Sequence, residues 1–205
     1  DADSHSSIYD GCTLSGAKLV RFRHNDAADL DKRLSRSEGE EGGKLVVLEG
    51  IYSMLGDRAP LKDFVELKKK HKFQLLVDEA HSFGVLGPHG RGLADEAGLE
   101  PEADFIVGTF SKSIGSIGGF GAGDHPLFET LRYAMRPYMF TASSSPATIA
   151  TSIAAVKTLA REPQRRDALR RASKQGRGDF GGNLADRPAG RAGRCARQLF
   201  CVRRR

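Results

Sequence analysis

The chain has 205 residues, 39% of them hydrophobic and 28% charged, enough for one sizeable core. No apolar run reaches the roughly 18 residues of a membrane span and no signal-peptide pattern opens the sequence, which argues against a membrane-spanning protein. The formal net charge of +6 is unevenly spread: residues 1–160 carry 18 Lys+Arg against 22 Asp+Glu, and residues 161–205 carry 14 against 4. The body therefore has no basic footprint for nucleic acid. Cys12, Cys195 and Cys201 lack metal-site spacing, and an odd cysteine count without a secretory signal favours a reducing, cytoplasmic setting. The first residue is Asp1 rather than Met, so the chain reads as processed or as a piece of something longer.

In chain order, "AKLVRFRH" (17–24) reads as a short strand. "DAADLDKRLSRS" (26–37) reads as a helix, with Asp26 as N-cap and Leu30 and Leu34 four apart. "KLVVLEG" (44–50) is a continuous apolar strand of the kind buried on both faces of a parallel sheet. "PLKDFVELKKKH" (60–71) is a helix with Pro60 near its start and a basic end. "FQLLVDEAH" (73–81) and "ADFIVGTFSK" (103–112) are further strands, and "PLFETLRYAM" (126–135) and "PATIATSIAAVKTLA" (146–160) are helices. Strands alternating with crossover helices predict an α/β fold with a mostly parallel, doubly wound sheet. The expected division is a body over 1–163 and an Arg/Gly-rich basic tail over 164–205. That tail reads as disordered, as an arm for nucleic acid or a membrane surface, or as text that is not the native continuation, such as an out-of-frame reading of a GC-rich gene.

Three residues carry the chemistry. Asp78 ends the strand "QLLVD", and polar residues at the carboxyl ends of parallel strands line the ligand crevice of open α/β sheets. A plain turn cap for "EAHSFG" is the competing reading. His81 follows three residues later, ahead of the glycine-rich "GVLGPHGRG" (84–92). Lys112 follows another strand, among Thr109, Ser111 and Ser113 and near Gly115, Gly118 and Gly119. Hydroxyls and exposed backbone amides hold phosphate without a metal. An exposed lysine in a flexible loop is the alternative. A nucleotide P-loop does not fit, because G-x-x-x-x-G-K-[ST] is absent. Pyridoxal 5'-phosphate (PLP) uses every one of these residues: its aldehyde condenses with a lysine while a carboxylate pairs with its ring nitrogen.

"LVDEAHSFGVLGPHGRG" followed by "GTFSKSIGSIGGF" resembles the α-oxoamine synthases, PLP enzymes of the aspartate aminotransferase-like fold type I. Within that family, "GTFSKS" with "RPYMFTASSSP" is most similar to the serine palmitoyltransferase branch, and other members tend to have glycine where this chain has Ser111. The resemblance covers about residues 1–165. It implies Lys112 as the cofactor-binding lysine and base, Asp78 as partner of the ring nitrogen, and His81 as partner of the ring's phenolic oxygen. Thr109 and Ser111 are implied phosphate contacts. "DADSHSSIYDG" implies that His5 stacks on the ring and helps orient the substrate carboxylate. "LEGIYSMLGDRAPL" implies Ser53 as a cofactor contact, with Glu49 nearby. Thr141 and Ser143 correspond to a stretch reaching a neighbouring subunit's phosphate, although a cap for the helix near Pro146 explains them equally well.

The implied reaction is a decarboxylating condensation of an amino acid, L-serine on this resemblance, with a long-chain acyl-CoA, in a homodimer without a metal. Alternatives are another α-oxoamine synthase (8-amino-7-oxononanoate synthase, glycine C-acetyltransferase or 5-aminolevulinate synthase type), an aminotransferase, or an inactive truncated product. The family's N-terminal glycine-bearing loop and its C-terminal small domain, with the arginine for the substrate carboxylate, have no match here. On this reading the chain is the central piece of a large domain.

Overall fold

The computed structural model describes residues 1–161 and 199–201. Its sheet runs in the order β1 (Leu45–Glu49), β2 (Gln74–Asp78), β3 (Phe105–Thr109), β4 (Gly119–Ala122) and β5 (Leu199–Cys201). β1, β2 and β3 are parallel, β4 runs antiparallel to β3, and β5 runs parallel to β4. The result is an α/β fold on a mostly parallel sheet, as the alternation of apolar runs and amphipathic helices predicts. The tail expected from residue 164 lies outside the described residues except at β5.

The helices are α1 (Ser6–Ser15), α2 (Ala27–Arg36), α3 (Leu61–His71), α4 (Leu93–Ala97), α5 (Leu131–Ala134), α6 (Arg136–Met139) and α7 (Pro146–Arg161). Asp26 caps α2 by accepting the Asp29 N–H at 2.8 Å. Leu30 and Leu34 are buried and join Phe64 and Val65 of α3 in one core with Val46, Leu48, Leu75, Val77 and Ile106 of the sheet. Each such side chain contributes about 1.5–3 kcal/mol by leaving water. α1 and α7 bury no residue fully, and Leu14, Ile149 and Ile153 stand exposed.

Several expectations are corrected. Residues 17–24 form no strand: the stretch has no regular secondary structure and no ladder partner among the described residues, and Leu19 and Val20 are exposed while Phe22 packs inward. The expected helix over 126–135 is a 3-10 turn (Pro126–Thr130) followed by the single turn of α5. Strands β2 and β3 stop at Asp78 and Thr109, so His81 and Lys112 stand on loops. α1, α4 and the antiparallel β4 are additions that the apolar pattern did not reveal.

Candidate active site

Parallel pairing brings three polar residues to one sheet edge. Glu49, Asp78 and Thr109 are the last residues of β1, β2 and β3. Glu49 and Asp78 share a rung of the ladder, and Asp78 pairs in turn with Val107. The ladder continues past the strands, since Gly50 N–H donates to the Asp78 carbonyl at 2.9 Å and Glu79 N–H to the Val107 carbonyl at 2.8 Å. Each strand thus hands its following loop to the same edge, where open α/β sheets bind ligands.

The loop after β3 is closed on itself. Phe110 N–H donates to the Gly118 carbonyl at 2.9 Å and Ser116 N–H to the Phe110 carbonyl at 2.7 Å. This places Lys112 beside the loop after β2, with Nζ 3.5 Å from His81 Nδ1. One residue on, the Ser113 hydroxyl donates to the Phe83 carbonyl at 2.6 Å. Two adjacent links therefore tie the lysine loop to the histidine loop. Thr109 Oγ1 and Ser111 Oγ lie 2.8 Å apart, Thr109 buried and Ser111 exposed, and Thr109 Oγ1 also donates to the Gly118 carbonyl at 3.2 Å.

Asp78 is half-buried, and its Oδ1 accepts the Ala80 N–H at 2.9 Å. The turn-cap reading of Asp78 is thus realised alongside its place at the crevice edge. Glu79 is a separate matter. It is fully buried and accepts from the Ser82 hydroxyl and from the N–H groups of Leu93 (2.8 Å) and Ala94 (2.9 Å). Burial raises its pKa, and the Ala94, Ser82 and Leu93 donors work against that rise. Glu79 binds the start of α4 to the end of β2 and is structural.

His5 caps α1, its Nδ1 accepting the Ser7 N–H at 3.2 Å and contacting Ser7 Oγ at 2.8 Å. Its backbone N–H donates to Glu49 Oε1. The Ser53 backbone also favours the charged form of Glu49. Glu49 is 1% exposed, and its Oε2 lies 3.9 Å from His81 Nδ1. Burial raises the Glu49 pKa; the His5 donor opposes this, the Asp78 charge adds to it, and Ser53 and the Lys112 ammonium oppose it.

The sequence-derived set is therefore largely convergent: His81 and Lys112 meet directly, Thr109 and Ser111 pair, and His5 and Ser53 reach the edge through Glu49. Thr141 and Ser143 lie on the exposed stretch between α6 and α7. The cap of α7 is Ser145, whose Oγ accepts the Thr148 N–H at 3.2 Å, so Thr141 and Ser143 are not that cap. Glu49 is the residue that sequence reasoning underused. Its signal was present: it ends "KLVVLE" as Asp78 ends "QLLVD".

A phosphate-bearing aldehyde fits this donor set. The edge supplies an amine, an imidazole beside it, a carboxylate at a strand end and a pair of hydroxyls, and the Asp78 and Lys112 charges both act on Glu49.

The chain is 56% identical over 169 residues to a serine palmitoyltransferase from Sphingomonas paucimobilis, covering 82% of this chain and 40% of that protein. A solved serine palmitoyltransferase variant from S. paucimobilis with a bound PLP–myriocin aldimine superposes with a TM-score of 0.79 at 56% identity, over 82% of this chain and 42% of that one. An 8-amino-7-oxononanoate synthase from Symbiobacterium thermophilum is 43% identical over 169 residues, covering 82% of this chain and 43% of that protein. The chain thus spans about two-fifths of the length of these relatives. The sequence model of the aminotransferase class I and II family matches residues 1–181, and the chain belongs to that family.

Proposed function

We propose that residues 1–163 form the central part of the PLP-binding large domain of a serine palmitoyltransferase-type enzyme. The observation that carries the reading is the 3.5 Å approach of Lys112 Nζ to His81 Nδ1 on loops leaving the sheet edge that Asp78 occupies. Identity of 56% to a serine palmitoyltransferase supports the choice within the family.

Bound PLP would supply an electron sink for negative charge at an amino acid's Cα. The Asp78 carboxylate holds a proton on the ring nitrogen, which an uncharged residue there could not do. His81 and Ser53 bind the ring's polar substituents, and the hydroxyls of Thr109 and Ser111 bind phosphate. His5 would cover the ring face and orient the substrate carboxylate. The Lys112 amine takes the Cα proton of serine. In the net reaction serine Cα bonds to the acyl carbonyl carbon of a long-chain acyl-CoA. Coenzyme A leaves as its thiol, the serine carboxylate leaves as carbon dioxide, Cα takes up a proton in its place, and the product is a 3-ketosphinganine-type aminoketone. This would make the chain part of sphingolipid biosynthesis.

We place the enzyme in the cytoplasm as a homodimer, with Thr141 directed to the neighbouring subunit's phosphate. Among the described residues no helix is long and apolar enough to cross a membrane. The exposed apolar residues of α1 and α7 support further protein surface over those helices. The 43% identity to 8-amino-7-oxononanoate synthase keeps another amino acid and acyl-CoA pair as the second reading.

The test is a PLP titration of the chain followed at its visible absorbance band, with borohydride trapping. A weak band that disappears in Lys112→Ala is expected. No band in the wild type, or the same trapped band in Lys112→Ala, rules the cofactor assignment out. Thiol release from acyl-CoA by the whole enzyme, compared between serine and other small amino acids, separates the two readings.

A further inference from the structure

Three of the proposed cofactor contacts, His5, Ser53 and His81, come from separate segments of the chain. All three converge on one carboxylate. Glu49 accepts the backbone N–H of His5, the Ser53 backbone lowers its pKa, and its Oε2 faces His81 Nδ1 at 3.9 Å. It is 1% exposed and fixed at the last position of β1, opposite Asp78. A carboxylate so buried is costly unless fully engaged, and its engagement here is with the backbone of the residues around the cofactor edge. The other titratable groups that interact with it are Asp78, Lys112, the Asp1 amine and the Tyr52 hydroxyl.

We propose that Glu49 is the positioning residue of this site: it sets the places of His5 and Ser53 and holds negative charge beside His81 and Lys112. The proposal rests on the PLP reading above. Glu49 acts through these neighbours, and no contact of its own with cofactor or substrate is invoked. Two consequences follow. The segment "DADSHSS" and the turn "IYSM" are coupled, so loss of Glu49 releases both. The charge also favours a protonated nitrogen at Lys112, so its removal lowers the pH at which that nitrogen loses its proton.

The experiment compares wild type, Glu49→Gln and Glu49→Asp in the full chain. Amide hydrogen exchange is measured at residues 5 and 53 without cofactor. The Lys112-dependent absorbance band is then titrated with PLP and with pH. In Glu49→Gln both amides should exchange at least about tenfold faster, PLP binding should weaken about tenfold or more, and the band's pH midpoint should fall by about one unit. Glu49→Asp keeps the charge and should recover part of the binding and most of the midpoint. It also serves if the Gln variant does not fold. A wild type with a Lys112-dependent band, joined by variants of unchanged exchange, affinity and midpoint, overturns the Glu49 role while leaving the functional reading intact. Equal losses in Glu49→Asp and Glu49→Gln overturn it too. A wild type with no such band overturns both.

Discussion

Glu49 and Asp78 face each other across one rung of the β1–β2 ladder, yet Glu49 is sealed from water while Asp78 is half-buried. The pair divides the labour of the sheet edge. One carboxylate is turned to backbone donors, the other stays at the rim of the crevice. Their mutual repulsion adds to the effect of burial in raising the Glu49 pKa.

The contribution of two buried carboxylates to stability should decline as pH rises above about 4.5. Glu49 and Glu79 both have native pKa values raised above the ordinary 4.5, chiefly by burial. Between 4.5 and those raised values the native state keeps protons that the unfolded chain has released, so their contribution is present at low pH and lost on raising it. Asp95 works the other way: burial would raise its pKa, but His89 and Arg91 hold it below 3.8, so its contribution fades in acid. The Asp1 amine, lowered by burial from 8.0 to about 5, opposes this fall between pH 5 and 8, so the readout is the difference between variants: urea unfolding at a series of pH values should show Glu79→Gln losing less stability than the wild type as pH rises above 4.5. An unchanged slope in that variant contradicts this account.

Glu79→Gln should also destabilise the fold. A carboxylate satisfies the Ser82, Leu93 and Ala94 donors together, whereas an amide turns its own N–H groups toward one or more of them. Losing one or two charge-assisted hydrogen bonds costs about 1.5–3 kcal/mol each, which is readable as a lowered urea midpoint.

Gly50→Ala should be costly for a related reason. A Cβ there would run into the Glu79 carboxylate and meet Ser82 Oγ at 2.5 Å. Overpacking of this kind costs about 1–3 kcal/mol. Gly92 faces the same carboxylate with φ of 115°, so Gly92→Ala adds backbone strain to the clash. Thermal unfolding should rank Gly92→Ala at least as destabilised as Gly50→Ala.

Asp78→Asn in the whole enzyme should leave PLP bound but slow exchange of serine's Cα hydrogen with solvent by about a hundredfold or more, since the amide carries no charge to hold the ring nitrogen protonated. Exchange at the wild-type rate would show the role of Asp78 to be misassigned.

Thr109→Val should weaken PLP binding about tenfold or more. The substitution removes a hydroxyl that binds Ser111 at 2.8 Å and the Gly118 carbonyl at 3.2 Å, so both the proposed phosphate contact and its brace are lost. The same titration of the visible band measures it.

The sequence by itself determined the parallel strands, because "KLVVLEG", "FQLLVDEAH" and "ADFIVGTFSK" each join an apolar run to a chemistry-bearing end; the burial on both faces expected of such runs is only partial, since buried residues mostly alternate with half-buried ones and Leu45 is exposed. It likewise determined α2, from Asp26 and two leucines four apart, and it singled out Asp78, His81 and Lys112. Tertiary structure decided what local pattern cannot carry. "AKLVRFRH" has a strand's composition, but a strand exists only where a ladder partner does. The 3.5 Å meeting of Lys112 with His81 spans 31 positions of sequence, and the bond from His5 to Glu49 spans 44. Burial turned Glu49 from a strand-end carboxylate like Asp78 into the acceptor of the surrounding backbone, because a buried carboxylate must find its donors wherever the packed chain supplies them.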